Sequence, residues 1–314
     1  MTSLASLPQA TGRKALVTGS SGFVGRHFVE MLLDFDWDVT ELDIANHPTE
    51  DAIEFFRNSE ERYDLVIHAA YHIGGRTAID GVNLFFSHNL GLDAAAFEYA
   101  ARTKPGHFLY FSSSAVYPIR LQNGYVPHKL RESDAVPVPN RFDVEHMRHP
   151  EPDANYGWAK LTGERLAAQA RDLGVNVHIV RPFSGYGEDQ GFDYPFCSIV
   201  SRAIDKDFTV WGPPEQTRDW IHIDDVVEGC WAVLRADYRD PVNLCTGIPT
   251  TMGNLLQFSA GIAHGLAVAE DQVTYLLDKP TGVLHRVGNP DNFFKLYRPQ
   301  VTLRQGVERA LAVL

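Results

Sequence analysis

Apolar residues fall along the first half of this chain in short unbroken runs. Longer stretches separate them, in which apolar positions recur every three or four residues. The runs at 15–18, 37–42, 64–69, 108–112 and 175–180 read as strands, and 64–69 (DLVIHA) is apolar enough to be covered on both faces. The helical period predicts helices over 23–33, about 50–60, 84–101 and about 156–173. Strands alternating with helices predict a parallel sheet with right-handed crossovers. Beyond 180 the pattern shortens. Helices are expected near 195–205, from an Asp224-Asp225 cap to about 234 and over 253–265, with strand-like pieces at 208–211, 241–245 and 273–277, and residues 289–294 and 302–313 complete a mixed C-terminal part.

The first strand runs straight into three spaced glycines, KALVTGSSGFVG over residues 14–25. A strand, a glycine turn and a helix bring a dinucleotide pyrophosphate onto a helix N-terminus. Gly19 makes the tight turn, Gly22 lets backbone approach phosphate, and Gly25 lets the helix pack close to the strand. Asp43 ends the second strand, where a carboxylate accepts hydrogen bonds from ribose hydroxyls and repels a 2′-phosphate. Ile44, Ala45 and Asn46 follow it, with no Arg to pair a phosphate, so NAD is favoured over NADP. Small Ala69 and Ala70 at the third strand's end let the cofactor approach. Ser21, Phe23 and Val24 in the turn, with Tyr71, Ser112 and Phe183 at later strand ends, complete the candidate cofactor contacts. The fold expected is α/β: a Rossmann-type doubly wound parallel sheet over residues 1–180, and a smaller mixed substrate domain over most of 181–314, some of whose segments return to the Rossmann sheet.

Composition changes this picture little. The chain has 314 residues, 44% hydrophobic and 22% charged, which is ordinary for a large α/β domain plus a smaller one. A formal charge of −12 argues against nucleic acid or an anionic membrane as partner. No run is long enough to span a membrane, and residues 1–12 lack the pattern of a signal peptide. A soluble, cytoplasmic protein with a loose N-terminal dozen is expected. Cys197, Cys230 and Cys245 lack metal-ligand spacing and read as reduced, packed thiols. Residues 118–155 carry six prolines, at 118, 127, 137, 139, 150 and 152, and read as an irregular excursion. Its histidines, His128, His146 and His149, fit no metal motif, and no metal is expected.

Tyr156 and Lys160 stand four apart on the predicted helix and so share a face. A tyrosine hydroxyl ordinarily loses its proton near pH ~10. An ammonium beside it, joined by the charge of a bound oxidised nicotinamide, favours the phenolate. The pair is a way to build a general base for an alcohol proton near neutral pH. Ser113, at a strand end, is placed to hydrogen-bond the same substrate oxygen.

Taken together, the glycine turn, Ser112-Ser113-Ser114-Ala115-Val116-Tyr117, Tyr156-x-x-x-Lys160, Arg181-Pro182 and Arg218-Asp219-Trp220-Ile221-His222-Ile223-Asp224-Asp225 resemble the extended short-chain dehydrogenase/reductases, and within them the nucleotide-sugar epimerases and dehydratases. The resemblance spans nearly the whole chain. It implies Ser113, Tyr156 and Lys160 as the catalytic set, and Ser113, Ser114, Ser184, Arg218 and Arg286 on the substrate side, with the two arginines on the diphosphate. It implies a homodimer joined through helices 84–101 and 156–173. The chain departs from the family at Ser114 and Ala115, where dehydratases carry an acid pair. Ala115 also replaces the Cys that serves 3,5-inversion, and Ser184 replaces the usual Asn. The leading expectation is an NAD-dependent isomerase: a 4-epimerase of a nucleoside-diphosphate sugar, working through a transient 4-keto intermediate. The alternatives are an NAD(P)H-dependent 4-keto reductase of a nucleotide deoxysugar, and a non-catalytic dinucleotide-sensing regulator. The last has no need of Tyr156 and Lys160.

Overall fold

The computed structural model describes residues 12–45, 51–74, 76, 79, 81, 83–135, 150–265 and 267–314. In chain order its strands are β1 Lys14–Thr18, β2 Asp38–Leu42, β3 Leu65–His68, β4 His107–Phe111, β5 Lys129–Leu130, β6 Val177–Pro182, β7 Ser184–Tyr186, β8 Thr209–Trp211, β9 Thr217–His222, β10 Val242–Leu244, β11 Pro249–Thr251, β12 Thr274–Leu276 and β13 His285–Gly288. The helices are α1 Phe23–Asp34, α2 Ala52–Asn58, α3 Phe85–Thr103, α4 Ala154–Asp172, α5 Pro195–Ile204, α6 Ile223–Arg235, α7 Met252–His264, α8 Phe293–Leu296 and α9 Leu303–Val313.

Six strands form one parallel sheet in the order β10-β6-β4-β3-β1-β2. Strands buried on both faces need helices on both faces. Phe28, Val29 and Leu32 of α1 pack on one side with Val227, Trp231 and Leu234 of α6. On the other side Leu92, Ala96 and Ala100 of α3 meet Ala167 and Ala170 of α4. The chain passes from β1 to β2 on one flank and returns to β3 on the other, so the sheet's switch point lies at the C-terminal end of β1. A ligand crevice opens at such a point.

The second sheet, β11-β9-β13-β5 with β7 also paired to β9, stands beside the first. Four of its strands, β7, β9, β11 and β13, come from places the hydrophobic pattern did not mark as strands. The fifth, the two-residue β5, comes from the proline-bearing excursion. That segment therefore contributes to the fold over its described part; residues 136–149, with His146 and His149, lie outside the described residues. His128 is exposed and meets Asp134 Oδ2 at 3.1 Å. The cap of α6 is His222, whose ring accepts from Asp224 N–H. Asp224 and Asp225 sit in the first turn instead of at the cap. Cys197, Cys230 and Cys245 are free and buried.

Candidate active site

The glycine turn forms because only glycine fits there. Gly19 has φ +70°, and a Cβ on it would meet Ala70 N at 2.7 Å. A Cβ on Gly25 would lie 2.0 Å from Gly19 O, so α1 sits directly on the turn. Gly22 is the N-cap of α1 and offers no side-chain cap. The first N–H groups of the helix therefore face an open groove. Asp43 accepts from Ser21 N–H at 3.0 Å and from Ala45 N–H at 2.8 Å, which ties the second strand's end to the turn. Together with Gly19, Gly22, Ala69, Ala70 and Tyr71 it lines a cavity of about 220 Å³. The hydroxyls of Ser20 and Ser21 are buried without a hydrogen-bond partner among the described residues. Buried orphan donors beside a glycine cradle suit a phosphate ligand, so the residues present fit a dinucleotide.

This cavity continues into a groove of about 460 Å³, lined by Phe23, Val24, Gly25, Ser113, Tyr156, Lys160 and Phe183 among others. On α4, Tyr156, Lys160 and Glu164 fall on one face. Lys160 Nζ donates to Phe111 O at 2.7 Å and stands 3.2 Å over the centre of the Tyr71 ring. Tyr71 in turn meets Tyr156 edge-on, with ring centres 6.0 Å apart. The ammonium thus lies against Tyr71, and this alters the expected electrostatics. Burial pushes the Tyr156 hydroxyl up to about 12, with a hydrogen bond to Ser113 pulling the other way. Burial brings Lys160 down to about 8, against the attraction of Asp93 and Glu164. Within the chain alone burial outweighs the favourable contacts of the phenol, so the lowering that the Tyr-Lys spacing suggested does not arise there.

Behind Lys160 lies a buried relay that sequence reasoning missed. Thr18 Oγ1 accepts from Ala70 N–H at 3.3 Å and meets His68 Nδ1 at 2.9 Å. Its own proton goes to Nδ1, so His68 carries its hydrogen on Nε2 and donates to Asp93 Oδ1 at 3.1 Å. Asp93 Oδ2 takes the hydroxyls of Tyr71 at 3.2 Å and Tyr110 at 2.7 Å. An aspartate inside the apolar stretch of α3 was the available signal.

Three of the predicted serines are placed otherwise than expected. Ser112 reaches the groove wall, but its hydroxyl donates to Glu164, itself paired with Arg181 at 2.6 Å. Ser114 is buried in the short turn after β4, and Ser184 sits on β7 beside Trp220; neither lines the groove. Arg218 makes no ion pair with Asp219, whose carboxylate is filled by Thr246, Gly247 and Gly288 N–H groups and the Thr246 hydroxyl.

Arg218 lines the far end of the groove with Arg286, and with Arg76 and Asp153, which were not foreseen. Arg76 Nη1 donates to both Asp153 oxygens, at 3.0 and 2.9 Å, and Arg286 Nη2 reaches Oδ2 at 2.6 Å. Arg218 donates to the carbonyls of Thr217 at 2.8 Å and Thr281 at 3.0 Å. Burial, then the neighbouring Arg286, pull Arg218 down to about 9. Three guanidiniums around one carboxylate make a corner that a bound anion would neutralise. Beyond it opens a cavity of about 570 Å³, with Phe192, Trp211, Arg202 and Gln216 on its wall.

Comparison with known proteins places this geometry. The chain is 27% identical over 272 residues to GDP-mannose 3,5-epimerase of Arabidopsis thaliana, covering 78% of this chain and 67% of that protein. It thus spans about two thirds of the length of the plant enzymes it matches. It is 27% identical over 234 residues to YtcB of Bacillus subtilis, described as an uncharacterized UDP-glucose epimerase, covering 70% and 72% of the two chains. In fold it superposes on UDP-glucuronic acid 4-epimerase from Bacillus cereus, solved with UDP-glucuronic acid and NAD. The TM-score is 0.76 at 22% identity, covering 96% of this chain and 98% of that one. The UDP-glucose 4-epimerase of Thermus thermophilus, solved with NAD, gives 0.74 at 20% identity, covering 96% and 98%. Residues 15–245 match the sequence profile of the NAD dependent epimerase/dehydratase family, and the chain belongs to that family.

Proposed function

We propose that this chain is a 4-epimerase of a nucleoside-diphosphate sugar that keeps its NAD through the cycle. One observation carries the reading: a single groove joins the glycine turn, the Ser113–Tyr156–Lys160 set and the arginine corner. A sugar between the second and third of these would have its diphosphate on Arg218 and Arg286. The dinucleotide would lie along the turn, its ribose on Asp43. The chemistry NAD supplies when bound is reversible two-electron oxidation of the C4 carbinol.

Tyr156 takes and returns the C4 hydroxyl proton, and Ser113 orients both oxygens. Lys160 holds positive charge beside them, its Nζ anchored on Phe111 O. Ala115 lines the groove at the position from which a base would serve C3 or C5. A methyl group transfers no proton, and this favours C4 over the 3,5-inversion of the plant relative. Asp43 facing the ribose disfavours a 2′-phosphate, which favours a redox-neutral cycle over a reductase drawing on NADPH. The same assignment puts residues 1–180 with the cofactor and most of 181–314 with the sugar nucleotide. It pairs two copies through α3 and α4.

The test is incubation of purified protein, without added cofactor, with a panel of nucleotide sugars that includes C4-deuterated members. The product expected is the C4 epimer, with its label retained. Stoichiometric consumption of NADH or NADPH, or loss of the label, would replace the epimerase with the reductase.

A further inference from the structure

We propose that His107, His178 and Asp237 form a divalent-cation site of the zinc type, at the edge of the large sheet away from the groove. His107 opens β4 and His178 is the second residue of β6, the strand paired beside it. Asp237 follows the end of α6. The groove lies at the opposite ends of both strands, where Phe111 and Pro182 line it. Four residue rises along β4 separate the two places, about 13 Å.

The hydrogen bonds around the cluster fix where its protons lie. His178 Nδ1 lies 2.9 Å from Tyr238 O. A carbonyl only accepts, so Nδ1 carries the hydrogen and Nε2 of the neutral ring is bare. Asn176 Nδ2 lies 3.2 Å from Asp237 Oδ1 and 3.1 Å from His107 Nδ1. Turning that amide over would set its oxygen against the carboxylate, so the NH₂ group stays where it is. It donates to His107 Nδ1, which therefore also presents a lone pair. The His107 lone pair, shared with the Asn176 amide, and the free lone pair of His178 Nε2 face each other at 3.0 Å. A cation between them removes the repulsion.

The third group makes that cation a metal ion. Asp237 Oδ1 stands 3.7 Å from His178 Nε2, and ligand atoms of all three residues lie within 4.8 Å of one another. Zinc bonds of about 2.0–2.1 Å separate tetrahedral ligand atoms by ~3.3 Å, so the two imidazoles need part by only a few tenths of an ångström. Two imidazoles and a carboxylate suit zinc and its neighbours in the first transition row and leave a fourth position for water. Tyr238 O orients His178 from behind, as backbone carbonyls do for metal-bound histidine. Arg239 grips the same carboxylate with two donors, Nε on Oδ1 at 3.0 Å and Nη2 on Oδ2 at 2.8 Å. Both side chains are about half exposed, so solvent screens the pair, and an entering ion would displace Nε from Oδ1. The carbonyl end of α6 adds partial negative charge beside the cluster. A bound ion would clip β4, β6 and the end of α6 together, and its role is structural.

Tag-free full-length protein, stripped with chelator, is titrated with zinc chloride against a chromophoric chelator, and its thermal unfolding is followed with and without zinc. One tightly held equivalent per chain and a rise in Tm with zinc are expected. Asp237→Asn and His107→Gln should each weaken that equivalent by more than about tenfold and lose the rise in Tm. Both replace groups that are not fully buried, so the variants report on binding with the fold kept, as far-UV circular dichroism checks. Absence of a stoichiometric equivalent in the wild type would overturn the site and leave a proton bridging the two rings. Undiminished binding in both variants would overturn it as well.

Discussion

Tyr156 and Lys160 look, in the helix alone, like a base and its activating charge. In the folded chain each is set by burial, the phenol up to about 12 and the ammonium down to about 8. Removing the phenol oxygen tests the first role. Tyr156→Phe should lower turnover by roughly 10²–10⁴-fold, the usual worth of a general base, while NAD stays bound, as read in the released nucleotide. A variant keeping a tenth of wild-type activity would show that the proton leaves by another route. Asp93 tests the second. It is the larger of the two charges that raise Lys160 against its burial, and it holds Tyr71, on which the ammonium rests. Removing an anion lowers the pKa of a neighbouring cation, so in Asp93→Asn Lys160 loses its proton below about 8. The alkaline limb of the kcat/KM profile should then move to lower pH. An unmoved limb, in a variant that still folds, would leave Asp93 a packing role only.

The element that carries this chemistry, α4, is fixed to β6 by one buried pair. Arg181 Nε and Nη2 meet the two Glu164 oxygens at 2.8 and 2.6 Å, with Arg181 also donating to Tyr117 OH and Glu132 O. Removing one partner of such a pair strands a charge out of water. Arg181→Met should therefore lose about 3–5 kcal/mol in urea unfolding. Changing Glu164 to Leu as well should recover much of it. If the double variant were as unstable as the single, the loss would reflect packing of the Arg stem. The face shared by Tyr156 and Lys160 was legible, because helical spacing is a local property. So was the strand, turn and helix of residues 14–34, where glycine spacing and an apolar run coincide. Glu164 and Arg181 are on different elements, and no local pattern joins them. Arg76 and Asp153 meet across 77 positions of chain. The strands of the second sheet are two to six residues long, too short for a period to show.

At the scale of the molecule, the groove is closed by contacts between distant segments. Asp189, in the loop beyond β7, accepts from Arg26 Nε of α1 at 2.7 Å and meets His27 Nε2 at 3.0 Å. The same loop brings Gln190 and Tyr194 to the groove wall. Burial also narrows how two copies could assemble. Of the apolar residues on α3 and α4, Leu92, Phe97 and Leu161 fill the protein's own core. What stays exposed clusters where the two packed helices begin: Leu84 at 81%, Phe85 at 37% and Trp158 at 41%. An exposed apolar face of this kind suits an isologous contact across a two-fold axis, with the large aromatics as its anchors. Sedimentation velocity at micromolar concentration should show a homodimer, and Trp158→Glu should shift it to monomer with the far-UV spectrum unchanged. Trp158 is exposed within the chain, so this change leaves the core alone. A wild-type monomer would remove the pairing through α3 and α4, and a variant that stays dimeric would move the interface elsewhere.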